Sequence, residues 1–183
     1  MRDFAAPRGR ALGPVVSVLA MAVAVAGCSS LAKNEPPPCP PVYILSDASH
    51  VTKFRPGAGR DLTDVQVEAE IVGFKGECGY DSKGANVDLS VSLDVRRGPA
   101  ASSRDATLSY FVAIPKFYPA DEAKAVIATP VVFPEGVESV RVTDDGVRMH
   151  IPLKNRDLID QYEIYLGFQT TPEELEMNRR IKR

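Results

Sequence analysis

The sequence predicts an all-β fold, an antiparallel β-sandwich of about seven or eight strands with a short C-terminal helix. Three observations carry this. Apolar residues alternate with polar ones across "NVDLSVSLDVR", a period of two and not 3.6. Short runs rich in Val, Ile, Tyr and Phe recur at close intervals, divided by Gly, Pro and Asp. The period changes once, in "TPEELEMNRRIKR".

In "NVDLSVSLDVR", Val87, Leu89, Val91, Leu93 and Val95 point one way, with Asp88, Ser90, Ser92, Asp94 and Arg96 opposite. Burying five such side chains is worth roughly 8–15 kcal/mol gross, while ordering the backbone costs about 1–2 kcal/mol per residue. The strand therefore needs a second layer over its apolar face while the other face stays wet, which is how antiparallel sheets pack. Further strands are expected at 42–45, 65–74, 106–114, 125–133, 140–143, 147–151 and 162–168. Pro130 makes its run an edge strand or a bulge, because proline cannot donate to a ladder. Asp145-Gly146 reads as a two-residue hairpin turn, setting Val142 opposite Met149 and Val140 opposite Ile151. Strand number and spacing make the arrangement immunoglobulin-like or fibronectin-III-like, with a small barrel as the alternative. Leu158 and Tyr162, four apart at a strand start, are similar to the tyrosine corner of such sandwiches. In the tail, Thr171 is an N-cap, Pro172 suits the first helical position and Glu174 completes a capping box, so a loosely docked helix is expected over 172–183.

The chain has 183 residues and starts basic, with Arg2, Arg8 and Arg10 against Asp3. Ala11 to Gly27 is free of charge but shorter than the roughly 20 residues of a membrane span. A basic start, a short apolar middle and small residues at its end describe an export signal. Val25-Ala26-Gly27-Cys28 resembles the bacterial lipoprotein signal, in which the thiol is acylated and the chain cut before it. That resemblance implies a signal peptide over 1–27, lipidation at Cys28 and attachment to a membrane through N-terminal lipid. Ser29 in place of Asp implies the periplasmic face of the outer membrane, with the inner membrane's periplasmic face as the alternative. "SSLAKNEPPP" reads as a flexible tether closing residues 28–38, about 30 Å long at most, with the folded domain over 39–183.

Without residues 1–27 the chain has 156 residues; losing three Arg and one Asp leaves 19 basic against 23 acidic side chains, a net charge of −4. This gives no footing for nucleic acid, whose binding rests on neutralising phosphates. Cys39 and Cys78 remain once Cys28 is acylated, and in an oxidising compartment the two are expected to pair as a structural disulfide. Zinc or redox pairing is the alternative, but the spacing is not C-x-x-C and the chain has only two histidines.

No catalytic motif is visible, no metal ligand set is assigned and no cofactor is expected. His150 is read as a surface residue beside Arg148, with Arg141 opposite; His50 has Asp47 and Ser49 nearby in "SDASHVTKF". Asp61, Asp64, Glu68 and Glu70 invite a calcium reading, but Glu68 and Glu70 alternate along one strand face and fit a solvated surface better. Candidate partner contacts are Phe117 and Tyr118, in the proline-flanked "PKFYPADE", and Arg179 and Arg180 in the tail. For Phe117 and Tyr118 the favoured alternative is that they plug one end of the sandwich.

"RPGAGRDLTDV", "RRGPAA", "YFVA" and "GFQTTPEEL" resemble segments of a family of uncharacterised Gram-negative bacterial periplasmic lipoproteins. The resemblance implies a periplasmic lipoprotein. The function expected is a non-enzymatic, lipid-anchored binding or scaffolding module for an envelope protein or polymer. The alternative is a lipid or small-ligand carrier, or an enzyme whose site sequence does not reveal.

Overall fold

The computed structural model describes residues 38–181 apart from Ala58 and Asn155. Cys28, the signal 1–27, nearly all of the tether and the last two residues lie outside the described residues. The fold is a two-layer β-sandwich of eight strands with one C-terminal helix. The strands are β1 (Val42–Ile44), β2 (His50–Phe54), β3 (Val65–Tyr80), β4 (Gly84–Arg97), β5 (Asp105–Ala113), β6 (Lys124–Val132), β7 (Ser139–Pro152) and β8 (Ile164–Phe168), followed by α1 (Pro172–Ile181). One sheet has the order β1-β8-β5-β6, the other β2-β3-β4-β7. All pairings are antiparallel except β1 with β8. The layers are as expected, but the order is not the immunoglobulin one. Here β2, β3 and β4 form a meander within one sheet, whereas immunoglobulin strands change sheet after the second strand.

β4 shows why the layers hold. Its five alternating apolar residues are between 0 and 3 % exposed, and their partners in the core come from both sheets: Leu108, Tyr110, Ile164, Leu166 and Phe168 opposite, Ile71 and Ile151 beside. The β3–β4 hairpin closes through Asp81, whose carboxylate accepts the N–H groups of Lys83 and Gly84 at 2.6 and 3.0 Å. Gly84 has a positive φ of 156°, and a Cβ there would run into the Ile151 carbonyl, so the turn requires glycine.

Pro130 does lie on an edge strand. Phe133 N–H donates to Arg104 O and Ile114 N–H to Ala123 O, so in the alternating antiparallel ladder the odd residues of β6 face β5. Proline 130 therefore turns its missing donor outward and blunts the free edge.

Several expectations are corrected. The 145–146 turn does not exist: β7 runs unbroken through it. Val140 faces Val95 and Val142 faces Leu93, while Met149 and Ile151 face Val87 and Ala85, with a register shift between Leu89 and Val91. An Asp-Gly step serves a bulge as readily as a turn, and β4 offered a longer ladder than a hairpin could. Arg141 consequently meets Asp94 and not His150. β3 continues six residues past Phe74, and β2 was missed because "HVTKF" is short and weakly alternating. The last strand starts at Ile164, and Tyr162 packs its ring on Phe117.

The bulge has a consequence for the core. Asp144 lies opposite fully buried Val91, on the inner face, and accepts hydrogen bonds from Tyr110 Oη at 3.0 Å and Thr129 Oγ1 at 3.4 Å, both in the facing sheet. Gly146 N–H holds its other oxygen at 2.9 Å. Burial, then the hydrogen bond to Asp144, raises the Tyr110 phenol well above its ordinary value of 10.0. A proton held more tightly in the folded state gives stability that is complete below pH 10 and declines as pH rises beyond it. Tyr110→Phe should therefore lower stability by about 1–3 kcal/mol at neutral pH, by leaving a half-buried carboxylate short of a donor. It should also flatten the alkaline limb of a stability-against-pH curve. An unchanged alkaline limb would show that the phenol is not the titrating group.

The Cys39–Cys78 disulfide is present, with Cα atoms 5.7 Å apart. It ties the start of the described chain to β3, where Tyr80 Oη also donates to Pro38 O at 2.6 Å.

Candidate binding face

The outer face of the β2-β3-β4-β7 sheet forms an open trough of about 780 Å³, bordered by Asn178 of α1. Strand register builds it in two rows. One is His50, Glu70, Asp94 and Arg141; the other is Thr52, Glu68, Arg96 and Ser139, each residue from the next strand across the sheet. Side chains at every second position of a strand share a face, which is why these alternate with buried Val51, Ala69 and Val95.

Each acidic side chain in the trough lies against a basic one. Arg141 clamps Asp94 through two bonds of 2.5 and 2.6 Å, and these donors hold the Asp94 carboxyl below its usual value. Arg96 pairs with Glu68, which raises the guanidinium's pKa. His50 Nε2 lies 3.2 Å from Glu70 Oε1. Exposed pairs of this kind stabilise a fold by only about 0–1 kcal/mol each, so holding the sheet together is a poor explanation for three in register. Their clearer effect is to fix donors and acceptors in place on one surface.

His50 merits a chemical test. Ser49 Oγ lies 2.8 Å from its Nδ1, so Ser49, His50 and Glu70 form a line. A nucleophile must give its proton to the imidazole. Ser49 has one hydroxyl proton, and that proton is directed to Ser46 O at 2.9 Å. With that proton committed to Ser46 O, Ser49 Oγ has none to give to the ring nitrogen, so the catalytic hydrogen bond is not made. His150 sits on the same sheet face, eight rungs of the β3–β4 ladder away, against Asn86 Oδ1 at 3.0 Å.

The acidic residues weighed for calcium are dispersed. Asp61 caps a 3₁₀ turn through Thr63, and that hydrogen bonding holds its carboxyl below the usual value. Asp64 is 3 % exposed, with the Arg55 guanidinium 2.6 Å from Oδ1, though out of line for a hydrogen bond. Glu68 and Glu70 face the trough. No three metal-ligating side chains converge among the described residues.

Of the other candidate contacts, Phe117 stacks against Tyr162 with ring centroids 5.6 Å apart, while Tyr118 is 81 % exposed. Arg179 pairs with Asp47 and Arg180 with Glu176. The capping box forms: Glu174 accepts the Thr171 N–H at 2.9 Å and donates its own N–H to Thr171 Oγ1 at 3.2 Å. The helix docks more firmly than its apolar residues predicted. Buried Asn178 donates to the carbonyls of Asp47 and His50 at 2.9 and 2.8 Å, and Glu174 takes Lys53 at 2.7 Å. A lone Asn in a polar tail carries no sequence signal for that role.

The chain matches no family model, and no curated protein or solved structure is significantly similar to it. What fold and surface define is a class: a disulfide-bonded β-sandwich with a filled core and an open trough, rimmed by ion pairs, on one outer face.

Proposed function

We propose that this chain is a lipid-anchored binding or scaffolding module of the cell envelope, without catalytic activity. Acylated Cys28 holds it at the periplasmic face of the outer membrane, and the trough receives an envelope protein or polymer. The observation that carries the reading is the set of three register-fixed pairs, His50–Glu70, Arg96–Glu68 and Arg141–Asp94, on one sheet face. A carrier for lipid would want an apolar slot between the layers. That space is occupied by the side chains of both sheets, and the trough lies outside it on the outer face of one sheet. Three of the free strand edges disfavour strand addition, since β1 has three residues, β6 carries Pro130 and β7 is bulged with Arg141 and Arg148 along it, whereas β3 beyond Ile71 is open on the side away from β4.

The test is site-specific photo-crosslinking in intact cells expressing the full chain. A crosslinker at Thr52 or Ser139 should give one discrete adduct that Glu70→Lys with Asp94→Lys abolishes while the fold survives. The same adducts from Lys75, on this sheet but outside the trough, would defeat the assignment. Cys28→Ser should release the protein from membranes. A Ser variant that still sediments with them at high salt would place the anchor elsewhere.

A further inference from the structure

The end of the sandwich where the chain emerges is also the end that carries its most exposed aromatic side chain. Cys39 lies three residues before β1, and in register Val42 meets Ile164, Tyr43 meets Tyr165, Tyr165 meets Ala113 and Ala113 meets Lys124. The loop between Ala113 and Lys124 is therefore at the level where the chain enters β1. Phe117 is held by Tyr162, and Lys116 Nζ reaches Gln161 Oε1 at 3.2 Å. That bracing leaves Tyr118, 81 % exposed between Phe117 and Pro119, as the projecting tip, with Leu158 41 % exposed on the adjoining 3₁₀ turn. At the far end of β3, Leu62 is 80 % exposed, roughly 50 Å away along the strand at about 3.3 Å per residue.

From Cys28 to Pro38 the chain spans at most about 33 Å, less than the length of β3. An anchor at Cys28 thus excludes the inverted orientation, with the Leu62 end on the bilayer and the Cys39–Cys78 end raised. We infer that the Tyr118 loop, with Leu158 beside it, rests in the headgroup region of the leaflet that holds the lipid, standing the domain on that end. This rests on the Cys28 anchor proposed above. Tyrosine suits the position because its ring is apolar and its hydroxyl remains wet, the property that places Tyr and Trp at membrane interfaces. Asp121 and Glu122 share the loop with Lys116, so the contact is interfacial and not an attraction to anionic lipid. Arg179 and Arg180 play no part: α1 docks beside His50, whose partner Glu70 is roughly 33 Å up β3 from Tyr80. The trough is thereby held clear of the bilayer.

The chain has no tryptophan, so a single one reports its own surroundings. The lipidated full-length variants Tyr118→Trp and Leu62→Trp, both at exposed sites, are reconstituted into phosphatidylethanolamine–phosphatidylglycerol vesicles with brominated acyl chains. Quenching should be several-fold stronger at position 118 than at 62, and unchanged by high salt. Equal quenching, or stronger quenching at 62, in protein that floats with the vesicles overturns the orientation and leaves the anchor standing. Failure of both variants to float overturns the anchor and the orientation together.

Discussion

Leu93→Ala should lower the free energy of unfolding by about 3–5 kcal/mol. Leu93 is fully buried on β4, with Ile71 of β3 and Val142 of β7 at its sides and the other sheet above it. Truncation removes the transfer free energy of three carbons and leaves a cavity that two hydrogen-bonded neighbours on a continuous ladder cannot collapse into. Leu158→Ala, at a site 41 % exposed, should cost no more than about 0.5 kcal/mol. Urea unfolding of both variants measures the contrast. A loss below 1 kcal/mol at Leu93, as an order-of-magnitude threshold, would mean that the two layers do not press on each other there.

Replacing Cys39 and Cys78 together by Ser should cost roughly 4 kcal/mol on the chain-entropy account, because the bridge closes a loop of 39 residues in the unfolded chain. The β3 segment beyond Ile71 has most to lose. β2 pairs no further than Glu70, so this half of β3 is hydrogen-bonded on one side only, to β4. Hydrogen exchange should show protection lost first from Phe74 to Tyr80 in the double variant, with Leu89 to Val95 less affected. Uniform loss along both strands would assign the bridge a global role. Two free thiols in protein isolated without reductant would remove the bond altogether.

How much of this was legible beforehand differs by element. β4 could be read outright, since five apolar residues at period two have no other way to leave water. Pro130 announced an edge because a missing donor is tolerated only where nothing needs it. Thr171 and Glu174 announced a helix start because both groups of the capping box lie within four residues. The disulfide was expected on the reading that Cys28 is acylated, which leaves two cysteines to pair. The trough could not be read. His50, Glu70, Asp94 and Arg141 are separated by 20 to 47 positions and become neighbours only through register.

The sequence by itself determined the layer architecture, the buried face of the principal strand, the helix cap and the cysteine pair, because periodicity, capping and parity are local or countable properties. Tertiary structure alone decided that Asp144 turns inward on a bulge, that Asn178 seats the helix, and which charges pair across the sheet. The Asp-Gly step is compatible with a turn or a bulge at similar local energy. The choice between them fell to β4, whose long apolar face was stabilised more by one continuous partner than by two short strands folded on each other.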